Sequence, residues 1–157
     1  MAAKFHVAGL KELATSLDDM KKSTAKNVVR RGLRKALQPV ADHAKDLVRE
    51  DSGALKGSIK VGAQLTRKQK SLHRARRDAV HIFVGAGGLT QAVTEEYGTI
   101  DQAPHPYMRP AWDAHADKVM PTAVQEINVE IDKAKKRAER RAARAKAKAI
   151  AAARANR

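Results

Sequence analysis

The stretch Asp51-Ser52-Gly53-Ala54-Leu55-Lys56-Gly57-Ser58-Ile59-Lys60-Val61-Gly62-Ala63-Gln64-Leu65 is where the chain changes period. Ahead of it, Val28, Val29, Leu33, Leu37, Val40, Ala41, Ala44, Leu47 and Val48 recur at helical spacing, with Ser23 and Thr24 in reach as caps. Pro39 lies inside this pattern and is expected to bend or split the helix. Further back, Leu10, Leu13, Leu17 and Met20 step by three and four, the mark of a short amphipathic helix. From Ile59 onward the period is two: Ile59, Val61, Ala63 and Leu65 alternate with more polar residues, and Val80, Ile82 and Val84 do the same. Two antiparallel strands joined by a basic loop are the simplest arrangement. Gly53 is placed to supply a left-handed turn after the long helix.

Downstream, Gly85-Ala86-Gly87-Gly88 ends the second strand, and Leu89 to Tyr97 reads as a short helix leading into a strand. After Pro104-His105-Pro106-Tyr107-Met108-Arg109-Pro110 a last helix is expected from about Ala111. Its apolar positions are Trp112, Ala116, Val119, Met120, Ala123, Ile127 and Ile131, with a kink or break at Pro121.

Charge is the strongest compositional signal. The net charge is +15, and from Lys133 to Arg157 eleven Lys or Arg stand against one acid, Glu139, a balance of +10. The same segment holds eleven alanines and only Ile150 as a large apolar residue, so it has high helix propensity and little to bury. It is expected to project as a helix weakened by like charges four apart, such as Lys136 with Arg140 and Arg137 with Arg141. A second basic cluster comprises Arg67, Lys68, Lys70, Arg74, Arg76 and Arg77. Lys136, Arg137, Arg140, Arg141 and Arg144, together with that cluster, are the candidates for contact with DNA or with a neighbouring protein. The absence of interleaved aromatics means that any nucleic-acid contact would be independent of sequence. A solvated face or an acidic protein neighbour accounts for the same run.

The sequence has no cysteine, which removes disulfides and thiolate chemistry and suits a protein made in a cytoplasm. No signal peptide and no run of about 20 apolar residues is present, so no membrane is expected. No catalytic constellation emerges. Gly85-Ala86-Gly87-Gly88 lacks both the dinucleotide fingerprint and the Lys-Ser/Thr of a phosphate loop. Asp113, His115 and Asp117 alternate on a helix, where residues two apart point to different faces, and Ser52 and Ser58 have no base. His105, flanked by prolines, reads as a loop residue. No enzyme activity, cofactor or metal is expected.

Five motifs in order carry a resemblance: Val7-x-Gly9-Leu10-x-x-Leu13; Asp51-Ser52-Gly53-Ala54-Leu55-Lys56-x-Ser58-Ile59; Val84-Gly85; Glu95-Glu96-Tyr97-Gly98-Thr99; and Pro104 to Ala111. Together they resemble the tail-component family of tailed bacteriophages, the tail-completion or neck proteins that join head to tail. Glu50 stands where the family pattern usually has a proline. The resemblance spans Val7 to Ala116 and leaves the basic C-terminus outside. It implies an α+β fold and a structural role, with Gly53, Leu55, Glu95, Tyr97, Gly98, Pro106, Arg109 and Pro110 as motif positions. Gly53 and Gly98 fit positive-φ turns, Pro110 suits a first helical turn, and Arg109 is placed to pair with Glu95 or Glu96.

The expected architecture is therefore α+β. A long N-terminal helical region and a C-terminal helix pack on a small antiparallel sheet, with a projecting basic helix at the end. Residues 1–132 form the connector domain and 133–157 the extension. The expected role is a ring subunit of the virion's head–tail junction, six-fold favoured and twelve-fold compatible. Its partners are copies of itself, neighbouring connector and tail proteins, and DNA in the channel. A free, sequence-independent nucleic-acid-binding accessory is the alternative.

Overall fold

A computed structural model describes residues 9–49, 53–73 and 79–155. Their elements are α1 (Leu10–Asp18), α2 (Lys22–Leu47), α3 (Gly53–Ser58), β1 (Lys60–Gly62), α4 (Arg67–Leu72), β2 (Phe83–Gly85), α5 (Thr90–Tyr97) and α6 (Met108–Ala155). The class is α+β, dominated by two long helices packed on each other.

The apolar stripe of α2 explains that packing. Leu37, Val40, Ala41 and Ala44 are buried with Leu55 of α3, Ile59, Tyr107 and the first turns of α6 at Ala111 and Val119. Nearer its start, Val28 is buried with Leu13 of α1 and with Val124, Ile127 and Ile131 of α6. Full burial of Leu55 and Ile59 is worth roughly 1.5–3 kcal/mol each. Gly32 allows the close approach of the two helices, since a Cβ there would sit 2.9 Å from the Ile127 backbone nitrogen.

Neither proline breaks its helix. α2 runs through Pro39 and α6 through Pro121. Both prolines are exposed, so water can hydrate the carbonyl that each leaves without a donor, and the buried faces on either side hold the helix together. α2 is capped at Lys21 without a side-chain hydrogen bond, so Ser23 and Thr24 lie within the first turn instead of capping it.

The strands pair antiparallel, with Lys60 opposite Gly85, Val61 opposite Val84 and Gly62 opposite Phe83. They are shorter than the alternation suggests. Pairing stops at Gly62 because the chain turns into α4, closed by a capping box: the Gln69 backbone N–H donates to the Thr66 hydroxyl and the Thr66 N–H to the Gln69 side chain. The expected basic loop is thus helical over Arg67, Lys68 and Lys70, while Arg74, Arg76 and Arg77 lie outside the described residues. Among the described residues no strand follows α5, and α6 begins at Met108, three residues earlier than expected. Trp112 and Met120 are exposed, not core.

Candidate functional site

The segment between α5 and α6 is built around one carboxylate. Glu96 is buried at the end of α5, and its Oε2 accepts the backbone N–H groups of Tyr107 and Met108 at 2.9 and 2.8 Å. Its Oε1 accepts the Arg109 backbone N–H at 3.2 Å and the Arg109 Nε at 3.0 Å. A helix start leaves its first N–H groups without partners and carries partial positive charge, so Glu96 acts as a remote cap for α6. Burial works to raise its pKa, but the Met108, Tyr107 and Arg109 donors outweigh burial and hold the carboxyl below its usual range.

The rest of the connection is pinned as tightly. Gly98 has φ 78°, and a Cβ there would stand 2.8 Å from the Gln102 carbonyl oxygen and 2.9 Å from the Pro104 nitrogen. The Thr99 N–H donates to the Gln102 carbonyl, and the His105 N–H to the Glu95 carbonyl at 2.7 Å. The Glu95 carboxylate accepts from the Gln102 side chain. Tyr107 is buried, and its hydroxyl donates to the Ala92 carbonyl at 3.4 Å. Burial, then Glu96 and Glu95, push that hydroxyl's pKa up. The Arg109 guanidinium lies 5.0 Å from the centre of the exposed Tyr97 ring. Pro106 and Pro110 are exposed, Pro110 in the first turn of α6.

This connection displays an apolar stripe. Leu89, Val93 and Tyr97 recur every four residues along α5, all are exposed, and Ile100 beyond them is fully so. A separate groove of about 550 Å³ lies between α2, β2 and α6, walled by Leu33, Leu37, Phe83, Met108 and Trp112.

The basic residues fall on both sides of α2. Arg30 lines a hollow with Lys70 and His73, placing α4 beside it. Arg31 lines another with Lys133, Lys136, Arg137 and Arg140 of α6. Beneath the latter sits Glu130, only 5% exposed, paired with Arg31 at 2.6 Å and Lys35 at 3.1 Å, with Lys133 and Arg137 at 3.5 and 3.8 Å. Burial opposes its ionisation, but Arg31 and Lys35 overcome this and bring its pKa down to about 2. Arg141 and Arg144 are exposed further along α6.

Gly53 is the first residue of α3, with open space around it and no positive φ, so the left-handed turn expected there is absent. Leu55 is a core residue. Of Glu95 and Glu96, both expected as partners for Arg109, it is Glu96 that pairs with it, and Glu96 also makes the cap, a role the motif alone does not suggest. Its spacing of eleven to thirteen residues from the helix start lies outside any local capping signature.

No group of three metal-ligating side chains occurs among the described residues, and none of their helices is long and apolar enough to cross a membrane. Residues 11–88 match the family model described as "Bacteriophage HK97-gp10, putative tail-component". The chain belongs to this HK97-gp10-like tail-component family. The matched part of the tail component runs from α1 through β2 and includes Gly53, Leu55 and the basic cluster from Arg67 to Arg77. The Glu96 cap, the apolar stripe on α5 and all of α6 lie past its end. No curated protein and no solved structure matches the chain.

Proposed function

We propose that this tail component is a non-catalytic subunit of a homo-oligomeric ring at the head–tail junction. The ring joins the portal-side connector to the tail tube around the DNA channel. Six-fold symmetry is favoured by the tail, and a twelve-fold ring is compatible with a position nearer the portal. The domain of residues 1–132 makes the ring, and 133–157 is an accessory to it.

The observation that carries this reading is the presence of two different apolar surfaces on one chain. A ring needs a head-to-tail contact in which one patch meets another, unlike patch on the next copy. The Leu89–Val93–Tyr97–Ile100 stripe and the Trp112 groove are such a pair, and the Glu96 cap fixes the stripe relative to α6. Family membership supplies the setting.

The experiment is sedimentation and electron microscopy of the protein with and without Val93→Lys and Ile100→Lys, alongside assembly of particles carrying each version. Rings lost in the double variant with unchanged circular dichroism, and heads left without tails, are expected. Wild-type protein that stays monomeric, with particles joining normally in its absence, would overturn the reading. The second reading, a free sequence-independent nucleic-acid-binding accessory, is favoured by the net charge of +15. It requires the protein to be missing from finished particles.

A further inference from the structure

The basic part of α6 is sided. Lys133, Arg137, Arg140 and Arg144 step by four, three and four, which stacks them along one face of a helix. At about 100° per residue, Arg141 and Lys148 flank the same face. The opposite side carries Ala138, Ala142 and Ala149 together with Lys135 and Lys146, which stand across from the basic row, and Lys136 flanks the row on its other edge. At its root the row joins Arg31 of α2 around Glu130. There the acid is 5% exposed while Arg31, Lys133 and Arg137 are 41%, 54% and 53% exposed, so the surface presents cations. No carboxylate among the described residues pairs with Arg140, Arg141, Arg144 or Lys148.

We propose that this face, with Arg31 at its root, binds the phosphate backbone of double-stranded nucleic acid along one side of the helix. The chemistry discriminates among polyanions. The core of a protein interface is depleted in charge and built on apolar or aromatic anchors; this face offers no such anchor. An anionic membrane would need large apolar side chains opposite the charges, where alanines, Lys135 and Lys146 stand. Single strands are held by stacking on aromatics, and the extension has none. A duplex gives affinity to charge alone through counterion release. The length also fits: residues 133–155 rise about 34 Å, near one turn of B-form duplex. The proposal holds whether or not the domain forms a ring.

The test measures binding of the full-length protein to two duplexes of unrelated sequence across a salt series. Three versions are compared: wild type, Arg140→Ala/Arg144→Ala on the face, and Lys135→Ala/Lys146→Ala off it. Each pair removes two charges, and alanine cannot harm this helix. Expected are equal affinity for both duplexes and, for the on-face pair only, a salt slope smaller by about two with affinity weakened roughly tenfold at low salt. Equal effects of both pairs would overturn the one-sided face. Failure of the wild type to bind at low salt, or tighter binding to polyglutamate or to single strands than to duplex, would overturn the proposal itself.

Discussion

Gly32 of α2 lies against Ile127 of α6 so closely that a Cβ on the glycine would stand 2.9 Å from both the Cα and the amide nitrogen of the isoleucine, and closer still to its Cγ1. The backbone of one helix therefore sets the distance at which the other packs. Gly32→Ala gains helix propensity but forces α2 and α6 apart. A net destabilisation of about 1–3 kcal/mol is expected, read as a lower midpoint in urea unfolding. A midpoint equal to or above wild type would show that the contact is not limiting.

Glu96→Ala leaves the N–H groups of Tyr107, Met108 and Arg109 without their acceptor at a buried site. A loss of about 3 kcal/mol is expected. Glu96→Gln keeps one acceptor oxygen but turns an amide group toward N–H donors, and should cost about half as much. Glu95→Ala loses only the exposed bond to Gln102 and should stay within about 0.5 kcal/mol of wild type. Thermal unfolding of the three variants checks the order.

Stability should fall in acid through two carboxylates. Glu96 and Glu130 both have folded-state pKa values below the ordinary 4.5, Glu130 at about 2. A lowered folded pKa gives stability that is complete above the unfolded value and is lost as pH drops through the folded one. Unfolding free energy should thus be flat above about pH 5 and decline toward pH 2, with of order 1–3 kcal/mol from Glu130. Glu130→Gln should flatten part of that decline while leaving Arg31 and Lys35 without their buried partner at neutral pH. Denaturant titrations at a series of pH values measure both effects.

The outer part of α6 should be held more firmly in salt. Arg137 with Arg141, Arg140 with Arg144, and Arg144 with Lys148 are like charges four apart on an exposed helix, each costing a few tenths of a kcal/mol at low ionic strength. Screening shortens to about 3 Å at 1 M salt. Hydrogen exchange at the amides beyond Ala138 should therefore slow as salt rises, while the amides of α2 between Ala36 and Ala44 stay unchanged. Exchange in α6 that ignores salt would count against charge repulsion as the source of its weakness.

Much of this fold is legible in the sequence because the helices follow their apolar spacing. α2 and the inner half of α6 bury most of the residues that the pattern marks, from Val28 and Val40 to Ile127 and Ile131, while Trp112 and Met120 stay exposed. Local signals fail where tertiary packing intervenes. Pro39 and Pro121 read as bends or breaks, and neither is a break, since each faces water on a helix held by its buried side. Alternation from Ile59 to Leu65 reads as one strand, but the capping box of Thr66 and Gln69, itself a visible sequence signal, draws the chain into α4. The Glu96 cap is the least legible feature. It joins a carboxylate to N–H groups eleven to thirteen residues on, across a turn set by Gly98, and only the folded chain brings them together.

A single helix, α6, begins at the Glu96 cap and ends in the basic extension. Over its 48 residues, at 1.5 Å each, it forms a beam about 70 Å long. A tilt of about 5° at the capped end would carry the far tip some 6 Å sideways, on the geometry of a rigid rod. The helix is a lever: small adjustments where it is clamped are magnified where its charges lie.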